Sequence, residues 1–257
     1  MEKTKIEWCD SSWNPVTGCY HDCEYCYARK IANRYKGCHE APDGVAPGNI
    51  VTVTERLKAT TQNGEIRNAA YPFGFTPTFH QYRLTDPLTK GFGKNIFVCS
   101  MADLFGDWVP DFWIEKVFEA CKAAPNHRYL FLTKNPKRYL DLAEKGKLPE
   151  DDIFWYGTTV ATPDTDVFWS DKHKTFVSIE PILAPFTENP ENLLALNTDW
   201  AIFGAETGNR KDKVVPEKSW IEPVVSEFKK QGKAVFMKDS LIPIWGDDLI
   251  TEFPWEE

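Results

Sequence analysis

Residues Gly18 to Tyr27 read G-C-Y-H-D-C-E-Y-C-Y, which sets Cys19, Cys23 and Cys26 in a C-x3-C-x2-C pattern. Thiolates are soft ligands that suit zinc or iron–sulfur clusters. Structural zinc sites and clusters that only carry electrons take four protein ligands. Here three stand in tight array, and no fourth cysteine follows at a short, regular interval. A [4Fe–4S] cluster on these three would leave one iron without a protein ligand, open to a small chelating molecule. A Cys3His zinc knot that recruits His21 is the alternative, although His21 lies between the first two cysteines, where folding back onto the same metal is cramped. The seven cysteines are clustered or scattered rather than paired, which points to a reducing compartment and metal use rather than disulfides.

Working outward, Asn14-Pro15-Val16-Thr17-Gly18 reads as a short strand end and turn, with Gly18 relieving the backbone at the mouth of the cysteine loop. Trp8 and Trp13 precede it, either as core residues or as a shield for the loop. After Cys26, A-R-K-I-A-N-R-Y-K is a helical pattern that ends at Gly37. The loop therefore sits between a first strand and a first helix, where barrel enzymes keep their chemistry. From Cys38 to Phe75 the chain is rich in Pro and Gly. This stretch is expected to be an insertion or lid at about 38–76, with one helix over Asn49–Gln62.

From Thr78 onward, short apolar runs alternate with helical patterns. The runs are Thr78–Arg83, Asn95–Ser100, Tyr129–Leu132, Phe154–Thr159, Thr175–Glu180, Trp200–Gly204 and Ala234–Met237. They are near-continuously apolar and β-branched or aromatic, as buried parallel strands are. Helices are expected at Asp111–Ala124, Pro136–Lys145, Glu191–Leu196 and Trp220–Gln231, with starts signalled by Asp111 and by Asn135 before Pro136. With the opening strand this makes about eight strands. The expected fold is α/β, a parallel, partial TIM-type barrel in a single domain over 1–257.

Polar residues that follow barrel strands point into the mouth. They are Ser100 and Asp103 after Cys99, Thr133 to Asn135, Thr158 and Thr159, Ser178 and Glu180, Glu206, Thr207 and Arg210 after Gly204, and Lys238 to Ser240. As a set they mark a catalytic mouth. Glu180 and Glu206 are either ligand contacts or buried carboxylates paired with Arg210 or Lys238.

Composition limits the rest. The 257 residues are 42% hydrophobic, with a mean hydropathy of −0.44 and no apolar run near membrane-span length, so no membrane partner is expected. The start M-E-K-T-K-I-E-W lacks an apolar signal region, which fits a cytoplasmic protein. A formal charge of −8 argues against broad duplex binding but leaves room for a local basic cleft or a nucleotide-sized substrate.

The C-x3-C-x2-C motif with Tyr25 just before its third cysteine resembles the signature of the radical S-adenosylmethionine (SAM) enzymes. The entry Ile6–Cys19 (I-E-W-C-D-S-S-W-N-P-V-T-G-C), Val177–Pro181 (V-S-I-E-P) and Phe203–Gly208 (F-G-A-E-T-G) are similar to the phage Gp37/Gp68-like family. Cys9 departs from that pattern, where Thr is expected. S-M-A-D-L-F and Y-L-F-L-T-K-N-P resemble the spore-photoproduct-lyase-like branch. The resemblance implies a barrel of the radical SAM kind, a [4Fe–4S] cluster on Cys19, Cys23 and Cys26, and SAM on its open iron. One electron from the cluster then cleaves SAM to a 5′-deoxyadenosyl radical. The resemblance also implies Tyr25 against the adenine, Ser100 and Asp103 near the methionine moiety, and Lys134 on its carboxylate. Ser178, Glu180 and Glu206 are left for ribose or substrate, and Cys99 for returning a hydrogen atom. It further implies an electron donor of flavodoxin or ferredoxin type, with Arg29, Lys30, Arg34 and Lys36 as a docking patch. The substrate it suggests is a nucleobase or modified DNA base, which Trp108, Trp155, Tyr156 or Trp169 would stack. Open alternatives are an amino-acid or peptide substrate, a zinc-stabilised adaptor, and a cluster-bearing redox sensor.

Overall fold

The computed structural model describes residues 4–37, 50–61, 63–89, 91, 93–208 and 210–256. The chain is mixed α/β. A seven-stranded sheet runs in the order β1-β7-β8-β9-β10-β11-β12 (residue ranges below), with parallel pairing at β1–β7 and from β9 through β12. From β7 onward the order is sequential and does not reverse, as in a singly wound sheet rather than a doubly wound one. Two compact units share the chain, and the boundary falls inside β8.

The first unit begins with β1 (Ser11–Trp13), β2 (Val16–Thr17) and α1 (Tyr27–Arg34). Then come β3 (Val51–Val53), β4 (Lys58–Thr60), β5 (Ile66–Asn68), β6 (Thr78–His80) and α2 (Asp86–Thr89). It closes with β7 (Asn95–Val98) and α3 (Asp111–Ala123). The run Thr78–Arg83 is a strand only as far as His80 and then turns as a 3-10 helix. Its strand joins β2 and β3 in a separate three-stranded sheet, which is why the main sheet has seven strands and not eight. The helix expected over Asn49–Gln62 is absent from the described part of that stretch. Val51–Val53 pairs with β6, and Lys58–Thr60 forms an antiparallel hairpin with β5. Two β-branched valines on one face of a three-residue strand bury against Phe73, and that contact overrides the helical reading. Residues 38–49 of the expected lid, Cys38 among them, lie outside the described residues.

β8 (Arg128–Thr133) leads into the second unit. That unit holds α4 (Pro136–Glu144), β9 (Phe154–Thr159), β10 (Lys174–Ile179), β11 (Trp200–Phe203), α5 (Lys218–Lys230), β12 (Ala234–Met237) and α6 (Ile242–Trp245). Its strands are buried along nearly their full length, as the continuous apolar runs predict. α5 buries Ile221, Val224, Val225 and Phe228 against a core that includes Val177, Ile179, Phe203 and Val235. The segment Glu191–Leu196 is not a helix but two 3-10 turns, since Asn189 at φ +46° precedes Pro190 and Leu193 is extended. Trp8 packs in this unit against Phe176 and Trp200, and Trp13 packs in the first unit against Tyr129, so both tryptophans are core residues. Among the described residues no helix is long and apolar enough to cross a membrane.

Candidate functional site

The cysteine loop is fixed at both ends. At its entry, Gly18 has φ +88°, and its N–H donates to Met101 O at 2.9 Å. A Cβ there would lie 2.4 Å from Thr76 O and 2.6 Å from Phe75 O, so only glycine fits between those backbone groups. Cys19 N–H then donates to Phe75 O at 3.2 Å. At its exit, Cys26 is the N-cap of α1, and its Sγ accepts from Arg29 N at 3.3 Å. Between these ends, His21 N–H donates to Cys19 Sγ at 3.5 Å, and Arg29 pairs with Asp22.

His21 and Asp103 tie the loop to the turn after β7. His21 Nε2 donates to Asp103 Oδ2 at 2.7 Å, while Asp103 Oδ1 accepts from Phe105 N at 3.0 Å. The His21 ring stands edge-on to Trp108 with centroids 4.9 Å apart, and Tyr20 packs on the same indole. Asp103, expected near a bound ligand, thus spends one oxygen on the loop and the other on its own turn. Ser100 is engaged as well. Its hydroxyl donates to Asn14 Oδ1 at 3.3 Å, and its carbonyl accepts from the Tyr27 hydroxyl at 2.7 Å. Asn14 Oδ1 also accepts from Met101 N at 2.9 Å. Cys99 precedes this turn at φ +62°, a left-handed conformation that non-glycine residues seldom adopt. It is 2% exposed, and burial pushes its thiol up to about 12. Tyr25, Cys19, Cys23 and Cys26 are half-buried.

The three thiols of the motif are free and close enough to sense one another. Burial pushes Cys19 up to about 12, opposed next in size by the His21 N–H and reinforced by the charges of Asp103, Cys23 and Cys26. They do not converge at ligand distance. Among the described residues no three His, Cys, Asp or Glu side chains stand together as a metal site. The donor set fits an iron–sulfur cluster or zinc in kind and in its placement on one anchored loop, because a bound cation relieves the repulsion that these thiolates otherwise feel.

Behind the loop lies a buried polar network that the sequence reading missed. His80 Nε2 meets Thr17 Oγ1 at 2.9 Å, and Arg83 Nη1 donates to Asn14 O at 2.8 Å. Burial, with Arg83 adding, pushes His80 down to about 2. The folded state therefore holds His80 neutral, whereas the unfolded chain takes up a proton at about pH 6.5. Between these values the unfolded state binds more protons, so the contribution is complete above pH 6.5 and is lost as pH falls. We expect thermal melts at pH 5.5 to show about 1.4 kcal/mol less stability from this group than at pH 7.5. His80→Gln should flatten that part of the slope.

In the second unit, Glu206 is 7% exposed, and Arg210 clamps it through Nε and Nη2, each at 2.8 Å. The Arg210 guanidinium holds its carboxyl below the ordinary range. Glu180 pairs with Lys238. Gly204 leaves room for this pair, since a Cβ there would stand 3.0 Å from Glu180 Cδ and 3.1 Å from Lys238 Cδ. Of the two readings open for these glutamates, the structure brings together the ion-paired one. Ser178 is buried within β10, and its carbonyl accepts from Val160 N at 2.8 Å. Lys134 lines an open cleft of about 510 Å3 with Lys137, Leu140, Asp166 and Leu194. Of the aromatics considered for base stacking, Trp155 and Tyr156 are core residues, while Trp169 is exposed.

No curated protein and no solved structure matches the chain. A family model described as a protein of unknown function (DUF5131) matches residues 3–247, nearly the whole length, and the chain belongs to that family.

Proposed function

We propose that this protein is a radical SAM enzyme whose parallel sheet is the partial barrel of that kind, with Cys19, Cys23 and Cys26 as the ligands of a [4Fe–4S] cluster. The observation that carries this reading is the cysteine loop, which is pinned at Gly18 and Cys26 and carries three half-buried free thiols directly after the short strand β2. A cluster with SAM on its open iron supplies one-electron cleavage of SAM and abstraction of a hydrogen atom from substrate. The chain's own residues orient the loop and keep water from it. Asp103 and His21 fix its middle, Tyr25 stands beside the third cysteine for an adenine, and Ser100 with Asn14 sets the following turn. Cys99 holds its proton across physiological pH, which is the form a hydrogen-atom donor needs. In the second unit, Glu180 and Glu206 serve to hold strand ends, and Lys134 offers a cation to an anionic group. The reading takes a flavodoxin- or ferredoxin-type protein as electron source and a nucleobase or DNA-base substituent as substrate.

A zinc site of Cys3His type is the second reading, and one observation favours it. His21 donates Nε2–H to a carboxylate, the arrangement that orients metal-bound histidines. One experiment separates the two. Protein purified without oxygen, reconstituted with iron and sulfide, reduced and given SAM is expected to turn brown and release 5′-deoxyadenosine. The Cys19→Ala, Cys23→Ala, Cys26→Ala triple variant is expected to do neither. Zinc in the purified protein with no SAM cleavage would overturn the proposal in favour of the second reading.

A further inference from the structure

α1 is built the wrong way round for a helix that only packs. A surface helix normally turns its large apolar side chains to the core. Here the only buried residues are Ala28 and Ala32. Tyr27 (51% exposed, its hydroxyl on Ser100 O), Ile31 (38%) and the C-cap Tyr35 (59%) are turned outward instead, four residues apart and so in one row along the helix and its cap. Lys30, Arg34 and Lys36 are exposed beside that row, and the stretch Tyr27–Lys36 contains no acid in a chain whose net charge is −8. The Arg34 guanidinium lies 5.6 Å from the Tyr35 ring centroid. Arg29 is held by Asp22 and does not count among the available cations.

We propose that this face of α1 docks a single-stranded nucleic acid. Cations that track a phosphate backbone, interleaved with aromatic rings on which bases stack, are how proteins hold single strands without reading sequence. An acidic protein would answer the charge alone. The two exposed tyrosine rings in the row favour a polyanion with π-faces of its own. The acidic remainder of the chain repels such a polyanion, so binding is confined to this face and depends steeply on salt. The inference stands on the helix surface and holds whether or not the neighbouring loop carries a cluster.

The test is fluorescence anisotropy of a labelled oligothymidylate of about 15 nucleotides with the full chain. Neutralising three phosphates gives a slope of about −2 in log affinity against log salt, so binding should weaken roughly twenty-fold between about 50 and 200 mM. The Lys30→Glu, Arg34→Glu, Lys36→Glu variant should lose binding. Tyr35→Ala should weaken it at least about five-fold with the salt slope unchanged. All the substituted positions are exposed, and a thermal melt of each variant checks its fold. Absence of binding at low salt, or binding that survives the triple variant, overturns the proposal. So does equal binding of a polyglutamate peptide that is indifferent to Tyr35→Ala, which would make the face a general anion patch.

Discussion

Gly18→Ala is expected to destabilise the first unit by about 4 kcal/mol or more in urea unfolding, the largest effect of any single methyl group we anticipate in this chain. Two costs add at this position. The residue holds φ +88°, where an L side chain is strained. The added Cβ would also lie within 2.6 Å of three backbone atoms of Phe75 and Thr76, which cannot swing away as a side chain can. Relief requires moving the 75–76 segment or the loop. Moving the loop breaks the Gly18 N–H to Met101 O and Cys19 N–H to Phe75 O bonds at the threshold of the cysteines. Gly64→Ala is the internal control. It has a similar φ of +78° with nothing within 4 Å of the added carbon, so it isolates the conformational cost at about 1 kcal/mol. If the two variants lose equal stability, the close approach at Gly18 is not a constraint, and the loop is not anchored there.

Much of this architecture is readable in the chain because buried parallel strands carry their own signal. The core strands β9 to β12 coincide with their apolar runs to within a residue or two, since nearly every side chain on them is buried and no alternation dilutes the pattern. Val51–Val53 and Lys58–Thr60 were not readable as strands. They are three residues long, and their stability comes from partners that local sequence does not contain. The candidate site divides in the same way. The cysteine spacing is a local fact and stands out at once, and the expectation that Gly18 relieves the backbone agrees with its φ. The partners that fix the loop are far away in sequence. His21 and Asp103 are 82 positions apart, Asn14 and Met101 87. Asp103 was singled out for its position after a strand, but no local pattern says that both its oxygens are used by the protein. Thr17, His80 and Arg83 carry no motif at all, and only their hydrogen bonds in the fold, joined through Tyr82, reveal them as a network.

Arg210→Ala should cost about 3 kcal/mol at pH 8, far more than a typical surface ion pair, because the partner it abandons is buried. Glu206 keeps a side-chain exposure of only 3% and accepts from Arg210 on both carboxylate oxygens. Truncating the arginine leaves a desolvated carboxylate in place, and the penalty is that of the orphaned charge rather than of the lost bond. The pH dependence separates this account from simple loss of packing. In the intact protein Arg210 holds the Glu206 carboxyl below its ordinary value, so the pair stabilises above the unfolded pKa and is lost as pH falls through the folded one. Without Arg210 the main lowering influence is gone and burial is opposed only by the lesser effects of the Val214 N–H and Lys213, so the variant's carboxyl is less depressed and the variant loses less stability on acidification. The gap between intact protein and variant should therefore narrow as pH falls from 8 to about 4, through the unfolded carboxyl value. His80 titrates in the same window but is common to both chains and cancels in the difference. Arg210→Ala combined with Glu206→Gln should recover a good part of the loss at pH 8, since it removes the orphaned charge. A gap that stays constant with pH, with no recovery in the double variant, would show that Arg210 contributes by packing and that Glu206 does not depend on it.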